Sequence, residues 1–241
     1  MHRPMDRSPR ETFYFKVLEI FGQRFRLPGL RILRNPYSLT LDMLLNRLLA
    51  REAEKAMLLH ELWLKEKFRV EPSWTFIDIG ANVGQWSLYM ANRVHKVIAV
   101  EPVKEAFMWL RRNTKKFGNV LCLNFACWDV DQPVAMFVRP DWGFGRYERN
   151  PNYTVRGLKL DTLKRMIPIT GEVAIKIDVE GVEERVLMGG KEALGVCRTL
   201  LVEVHGNKLG QIRDIVERHK FRNVEILRQA NDPRVWLLAV K

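Results

Sequence analysis

The segment Phe76-Ile77-Asp78-Ile79-Gly80-Ala81-Asn82-Val83-Gly84-Gln85-Trp86 narrows the possible folds of this chain more than any other. It reads as a buried strand that breaks into a glycine turn and then a helix, which is where a parallel α/β sheet holds a ligand. Gly80 and Gly84 let the backbone approach a ligand that a Cβ would exclude, and a helix from about Gln85 offers unpaired N–H groups at its start. A dinucleotide fingerprint would read Gly-x-Gly-x-x-Gly. Here Asn82 stands at the second glycine position and an acid, Asp78, precedes the turn. The turn therefore suits a ligand with a positive centre and hydroxyls better than a diphosphate.

From Trp74 onward strand and helix patterns alternate, which predicts right-handed βαβ units and a parallel sheet. Strands are expected at 74–79, 96–101, 119–125, 172–178 and 199–205, and helices at 84–94, 103–117, 181–194 and 208–219. Two last apolar runs, Phe221 to Leu227 and Val235 to Val240, flank the turn signal Asn231-Asp232-Pro233 and read as a closing hairpin. Upstream, Ser38 reads as the N-cap of a long amphipathic helix reaching about Phe68. Residues 1–70 are thus expected to extend a catalytic domain spanning 71–241.

With 241 residues the chain can bury a substantial core, and no apolar run approaches the roughly 18 residues of a membrane span. Cys122, Cys127 and Cys197 lie in apolar segments without metal-ligand spacing, and the N-terminus has no uninterrupted apolar stretch of the secretory kind. A cytoplasmic location is expected. A net charge of +12 would attract polyanions such as RNA, or simply solvate helix faces.

Three consecutive strand ends carry acids. Glu101 ends the second strand, where a carboxylate can accept ribose hydroxyls, and Trp128-Asp129 follows the third, where an aromatic and an acid can take an adenine. With Asp78 they line a negative cleft that fits S-adenosylmethionine, which bears a positive sulfur and no phosphates. Five parallel strands with a closing hairpin also fit the seven-stranded, mostly parallel Rossmann-like sheet of class I methyltransferases. The chain resembles the FkbM family of S-adenosylmethionine-dependent methyltransferases through Asp78-Ile79-Gly80-Ala81-Asn82-Val83-Gly84, Val100-Glu101-Pro102, Lys176-Ile177-Asp178-Val179-Glu180-Gly181 with Glu183 following, and Val202-Glu203-Val204-His205. That resemblance implies methyl transfer, typically to a hydroxyl oxygen.

Methyl transfer from a sulfonium is an in-line displacement, so a protein aligns donor and acceptor and removes a proton. Asp178 is expected to orient the acceptor or take its proton, and His205 is the alternative base. Strand alternation puts Lys176 on the face of Asp178 and Glu203 on the face of His205, as electrostatic support. Two carboxylates and a histidine could also hold a divalent metal, but the ligand spacing is not a recognised one and no metal is expected. Glu180 is expected to meet the substrate. So are Trp142, Arg146 and Arg149, in a long insertion between Gln132 and Leu160 that begins with an extra strand at Pro133 to Val138 and then interleaves aromatics with arginines. The expected acceptor is a small-molecule or glycan-like hydroxyl; RNA, held by the insertion and the basic N-terminal segment, is the alternative, and a cofactor-binding module without turnover is the third reading.

Overall fold

A computed structural model describes residues 61–138, 145–146, 151–169, 171–229 and 232–241. Every described residue lies in one compact unit, Leu58–Lys241. The long helix expected from Ser38 falls outside the described residues except for its end. The strands are β1 (Thr75–Ile79), β2 (Lys96–Val100), β3 (Val120–Leu123), β4 (Ala126–Trp128), β5 (Pro133–Val138), β6 (Gly145–Arg146), β7 (Tyr153–Lys159), β8 (Val173–Ile177), β9 (Cys197–Val204), β10 (Asn223–Leu227) and β11 (Val235–Val240). The helices are α1 (Leu62–Lys67), α2 (Gln85–Met90), α3 (Lys104–Thr114), α4 (Leu160–Met166), α5 (Glu183–Met188), α6 (Lys191–Val196) and α7 (Leu209–Arg218).

The main sheet has seven strands in the order β10-β11-β9-β8-β1-β2-β3. Strands β9, β8, β1, β2 and β3 are parallel, and β11 runs antiparallel to both β9 and β10. The fold is thus the expected α/β, Rossmann-like arrangement with a closing hairpin. The two central strands, β1 and β8, are buried at every position, as strands covered by helices on both faces must be. Alternation sends Ile77, Ile79, Ile175 and Ile177 into one core, with Leu187 and Ile212 from the helices below. Phe76, Ala174 and Leu201 point the other way, into a second core closed by Leu64, Phe68, Trp86 and Leu110.

The expected helix 181–194 is instead two helices, α5 and α6, separated by Gly189 and Gly190. A Cβ on Gly189 would lie 2.1 Å from the Trp128 carbonyl oxygen, so β4 approaches a gap that only glycine leaves. The insertion between β3 and β8 holds more than the one extra strand expected. Here β4, β7, β5 and β6 form a second sheet, and α4 follows it. Its inner face packs Val134, Met136 and Val155 against Val103 and Ala106 at the start of α3, and the Tyr153 hydroxyl donates to the Pro102 carbonyl at 3.2 Å. That packing sets one wall of the cleft described below.

One buried cation marks the seat of α1. Lys65 is 2% exposed, with its ammonium 5.7 Å from the Trp86 ring centre and 5.4 Å from that of Tyr89. Burial lowers its pKa to about 8, against the pull of Glu61 and Asp78. An unfolded lysine holds its proton to about pH 10.4, so between these values the unfolded state binds the extra proton and stability rises with pH. Thermal melts should therefore show wild type gaining on Lys65→Met as pH rises from 8 to 10; parallel melting curves would contradict this placement.

Candidate active site

The C-terminal ends of β1, β2 and β8 open together. The backbone after each strand end is tied to its neighbour: Gly80 and Ala81 N–H donate to the Val100 carbonyl, Glu101 N–H to that of Leu123, and Asp178 N–H to that of Ile79, all at 3.0 Å. Between these ends lies a cleft lined by Gly80, Asn82, Glu101, Val103, Ala126, Cys127, Met136, Asp178 and Glu180. Gly80 has φ +76°, and a Cβ there would fall 1.8 Å from the Asp178 carbonyl oxygen. Asn82 follows at φ +50°, a conformation asparagine tolerates better than most residues, and its N–H donates to Glu101 Oε2 at 2.8 Å.

Glu101 is 6% exposed and lines the cleft. Its other oxygen, Oε1, accepts from Val103 N–H at 2.8 Å. Burial pushes its pKa up to about 7, although both N–H donors and Lys176 oppose the shift. Each oxygen of a carboxylate has a second acceptor position, so a pair of ribose hydroxyls can still be held there.

Asp78 does not line the cleft; it is fully buried beneath the turn. Its Oδ2 accepts from Ser87 Oγ at 2.7 Å, and Oδ1 lies 3.6 Å from Lys176 Nζ with no hydrogen bond. Burial raises its pKa, against the opposing pull of Lys176 and Ser87. Gly84 is also set back, at the start of α2, where a Cβ would meet Leu110 Cδ1 at 2.9 Å. Both residues shape the turn from behind.

Trp128 and Asp129, expected beside an adenine, are not among the residues that line this cleft. Arg185 of α5 sits 5.0 Å from the Trp128 ring centre and donates to Asp129 Oδ2 at 2.8 Å. The cleft wall expected from this pair is formed instead by Ala126, Cys127 and Met136. Met136 comes from β5, a strand legible in the sequence, whereas its place against the cleft is not.

At the β8 and β9 ends the four expected catalytic residues do meet. Lys176, 3% exposed, donates to Asp178 Oδ2 at 3.2 Å and to the Gly80 carbonyl at 3.1 Å. Burial disfavours its charge, but the Asp178 and Asp78 carboxylates outweigh it and raise its pKa. The lysine thus joins β8 to the glycine turn. His205 Nδ1 donates to Glu183 Oε1 at 2.8 Å, an oxygen that also accepts the Gly181 N–H at 2.7 Å. Its Nε2 faces Glu180 Oε2 at 3.4 Å and Glu203 Oε1 at 3.5 Å. Burial works against a charged ring, but Glu183, Glu180 and Glu203 together lift its pKa to about 9. Glu203 is pushed up to about 8 by burial and by Asp178. Glu183 is the residue whose part here the strand pattern does not reveal, because its partner lies on a different element.

Glu180 lines the cleft at φ +57°, turned inward by the two left-handed residues Glu180 and Gly181. Trp142 and Arg149 lie outside the described residues, as does the side chain of Arg146.

The family model of the methyltransferase FkbM domain matches residues 154–223, which carry Lys176, Asp178, Glu180, Glu183, Glu203 and His205. The methyltransferase FkbM of Methylobacillus flagellatus shares the fold with a TM-score of 0.53 at 16% identity, over 94% of this chain and 59% of that one. A precorrin-6y C5,15-methyltransferase of Geobacter metallireducens aligns at 16% identity over 79% of this chain and 89% of its own, with a TM-score of 0.46. An rRNA methylase of Streptococcus thermophilus aligns at 11% identity over 71% of this chain and 89% of its own, with a TM-score of 0.48. No curated protein matches the sequence.

Proposed function

We propose that this chain, an S-adenosylmethionine-dependent methyltransferase carrying the FkbM domain over residues 154–223, methylates a hydroxyl oxygen on a small-molecule or glycan-like acceptor. One observation carries the reading. Asp178 lies in the same cleft as Gly80, Asn82 and Glu101, so an acid stands where a donor held by those residues would meet an acceptor. The donor's fit rests on the glycine approach at Gly80, on the open acceptor positions of Glu101, and on an apolar wall at Ala126, Cys127 and Met136. When bound, S-adenosylmethionine supplies a methyl carbon activated by a positive sulfur.

Asp178 would accept the proton of the acceptor hydroxyl. Lys176 holds the carboxylate through Oδ2 and the Gly80 carbonyl with the same ammonium, which links donor turn and base. His205 and Glu203 stand behind Asp178, and Glu180 offers a carboxylate to an acceptor hydroxyl at the cleft rim. The described cysteines are free thiols, in keeping with action in the cytoplasm, and no described helix is long and apolar enough to cross a membrane.

Calorimetry tests the donor half. S-adenosylmethionine should bind the full chain, and Glu101→Gln should weaken it by about 10–150-fold, since one charge-assisted hydrogen bond is worth about 1.5–3 kcal/mol. Binding of NAD without S-adenosylmethionine would overturn the reading. A second reading, RNA as acceptor, draws on the net charge of +12 and on the arginines interleaved with aromatics in the insertion. It predicts salt-sensitive RNA binding that falls when Arg146 and Arg149 are changed to Ala; binding indifferent to both would remove it.

A further inference from the structure

We infer that Asp178, Glu203 and His205 form a binding site for a divalent first-row cation at the acceptor end of the cleft. One ligand atom from each lies within 4.8 Å of the other two. A cation with ligands at about 2.1 Å spaces them about 3 Å apart in cis and about 4.2 Å in trans, so only small rotations are needed to close on an ion.

The second observation is Glu203 itself. It is 5% exposed and accepts no hydrogen bond from the described residues, yet its Oε1 points at His205 Nε2 from 3.5 Å. At that distance the two are paired by charge without a hydrogen bond, and an ion between Glu203, Asp178 and His205 would bring both carboxylates and the imidazole onto one centre.

The surroundings are those of a metal-bound imidazole. Glu183 is fully buried and accepts from Nδ1, which leaves Nε2 as the atom turned toward Glu203 and Glu180. A carboxylate behind a histidine in this way fixes the ring and sharpens its donor nitrogen. Lys176 bonds Asp178 through Oδ2, which leaves Oδ1 for an ion. One imidazole nitrogen with carboxylate oxygens suits Mn²⁺, Fe²⁺ or Zn²⁺ better than an all-oxygen shell would. Glu180 at the rim, or a hydroxyl of the acceptor, can complete the shell. The proposal rests on the methyl-transfer reading only in placing that hydroxyl there.

The probe is Mn²⁺, added to the full chain after EDTA treatment and followed by calorimetry and electron paramagnetic resonance. One site is expected, with spin-echo modulation from a coordinated ¹⁴N. Glu203→Gln should weaken it at least about 10-fold, and Glu183→Gln, which leaves all three ligands in place, by about 10–100-fold. Circular dichroism and S-adenosylmethionine binding report whether each variant is folded. If Glu203→Gln fails to fold, the ¹⁴N signal of the wild type decides: its absence, or no binding at millimolar Mn²⁺, overturns the site. Unchanged Mn²⁺ affinity in folded Glu203→Gln does the same. S-adenosylmethionine binding without Mn²⁺ binding would sink the cation site alone, whereas Mn²⁺ binding without S-adenosylmethionine binding would sink the methyl-transfer reading alone.

Discussion

Replacing Asp178 with Asn is expected to lower kcat by about 10²–10⁴, the range over which a positioned proton acceptor contributes. The substitution keeps the shape of the side chain. It leaves an oxygen to accept from Lys176 Nζ, now 3.2 Å from Oδ2, so the lysine and the Gly80 carbonyl it holds should stay in place. Donor affinity should accordingly change by no more than a few fold, because Glu101 and Asn82 are untouched. The signature is therefore a loss in kcat with little change in donor binding, as befits an interaction made in the transition state. Single-turnover rates beside a calorimetric titration read both. A rate within about threefold of wild type would remove Asp178 from the chemistry, since even the weakest positioned base contributes more than that.

The second large effect falls on the backbone. Gly80→Ala should destabilise the domain by about 3 kcal/mol or more and abolish donor binding. Two costs combine. A side chain at φ +76° is strained, and its Cβ would sit 1.8 Å from the Asp178 carbonyl oxygen, a backbone atom that cannot rotate away. The ends of β1 and β8 must then separate, which also breaks the approach of Lys176 to the Gly80 carbonyl. A loss of 3 kcal/mol corresponds to a fall in Tm of roughly 6–12 °C for a domain of this size. Gly118→Ala is the control, since its Cβ would meet nothing within 4 Å. Equal melting temperatures for the two variants would show that the turn tolerates what its geometry forbids.

The features legible in the amino-acid sequence are local and periodic. The order of strands and the closing hairpin follow from apolar runs, glycine turns and Asn231-Asp232-Pro233, because each is a property of neighbouring residues. Lys176 and Asp178 meet because strand alternation places them on one face, and their contact at 3.2 Å follows. Interactions between distant segments leave no such trace. Asp129 follows a strand end as a ligand-binding acid would, and its bond through Oδ2 to Arg185, brought over by α5, is one that the sequence does not announce. Asp78 carries the sign expected of a ligand-facing acid, yet its place in β1 turns it toward Ser87 and Lys176 under the turn. In β7, alternation is interrupted by Gly157, so the second sheet is hidden within a segment that reads as a loop. The break between α5 and α6 depends on β4 pressing against Gly189, again a contact that sequence spacing does not encode.

The acceptor can be tested directly. The full chain, supplied with S-adenosylmethionine labelled in the methyl group, can be incubated with a total extract of the source cells that is then separated into RNA, protein, lipid and small-molecule with glycan fractions. Label is expected in the last of these, held as a base-stable methyl ether and strongly reduced with Asp178→Asn. Label confined to RNA, or present as an ester or N-methyl group, would contradict hydroxyl methylation of a small-molecule or glycan-like acceptor.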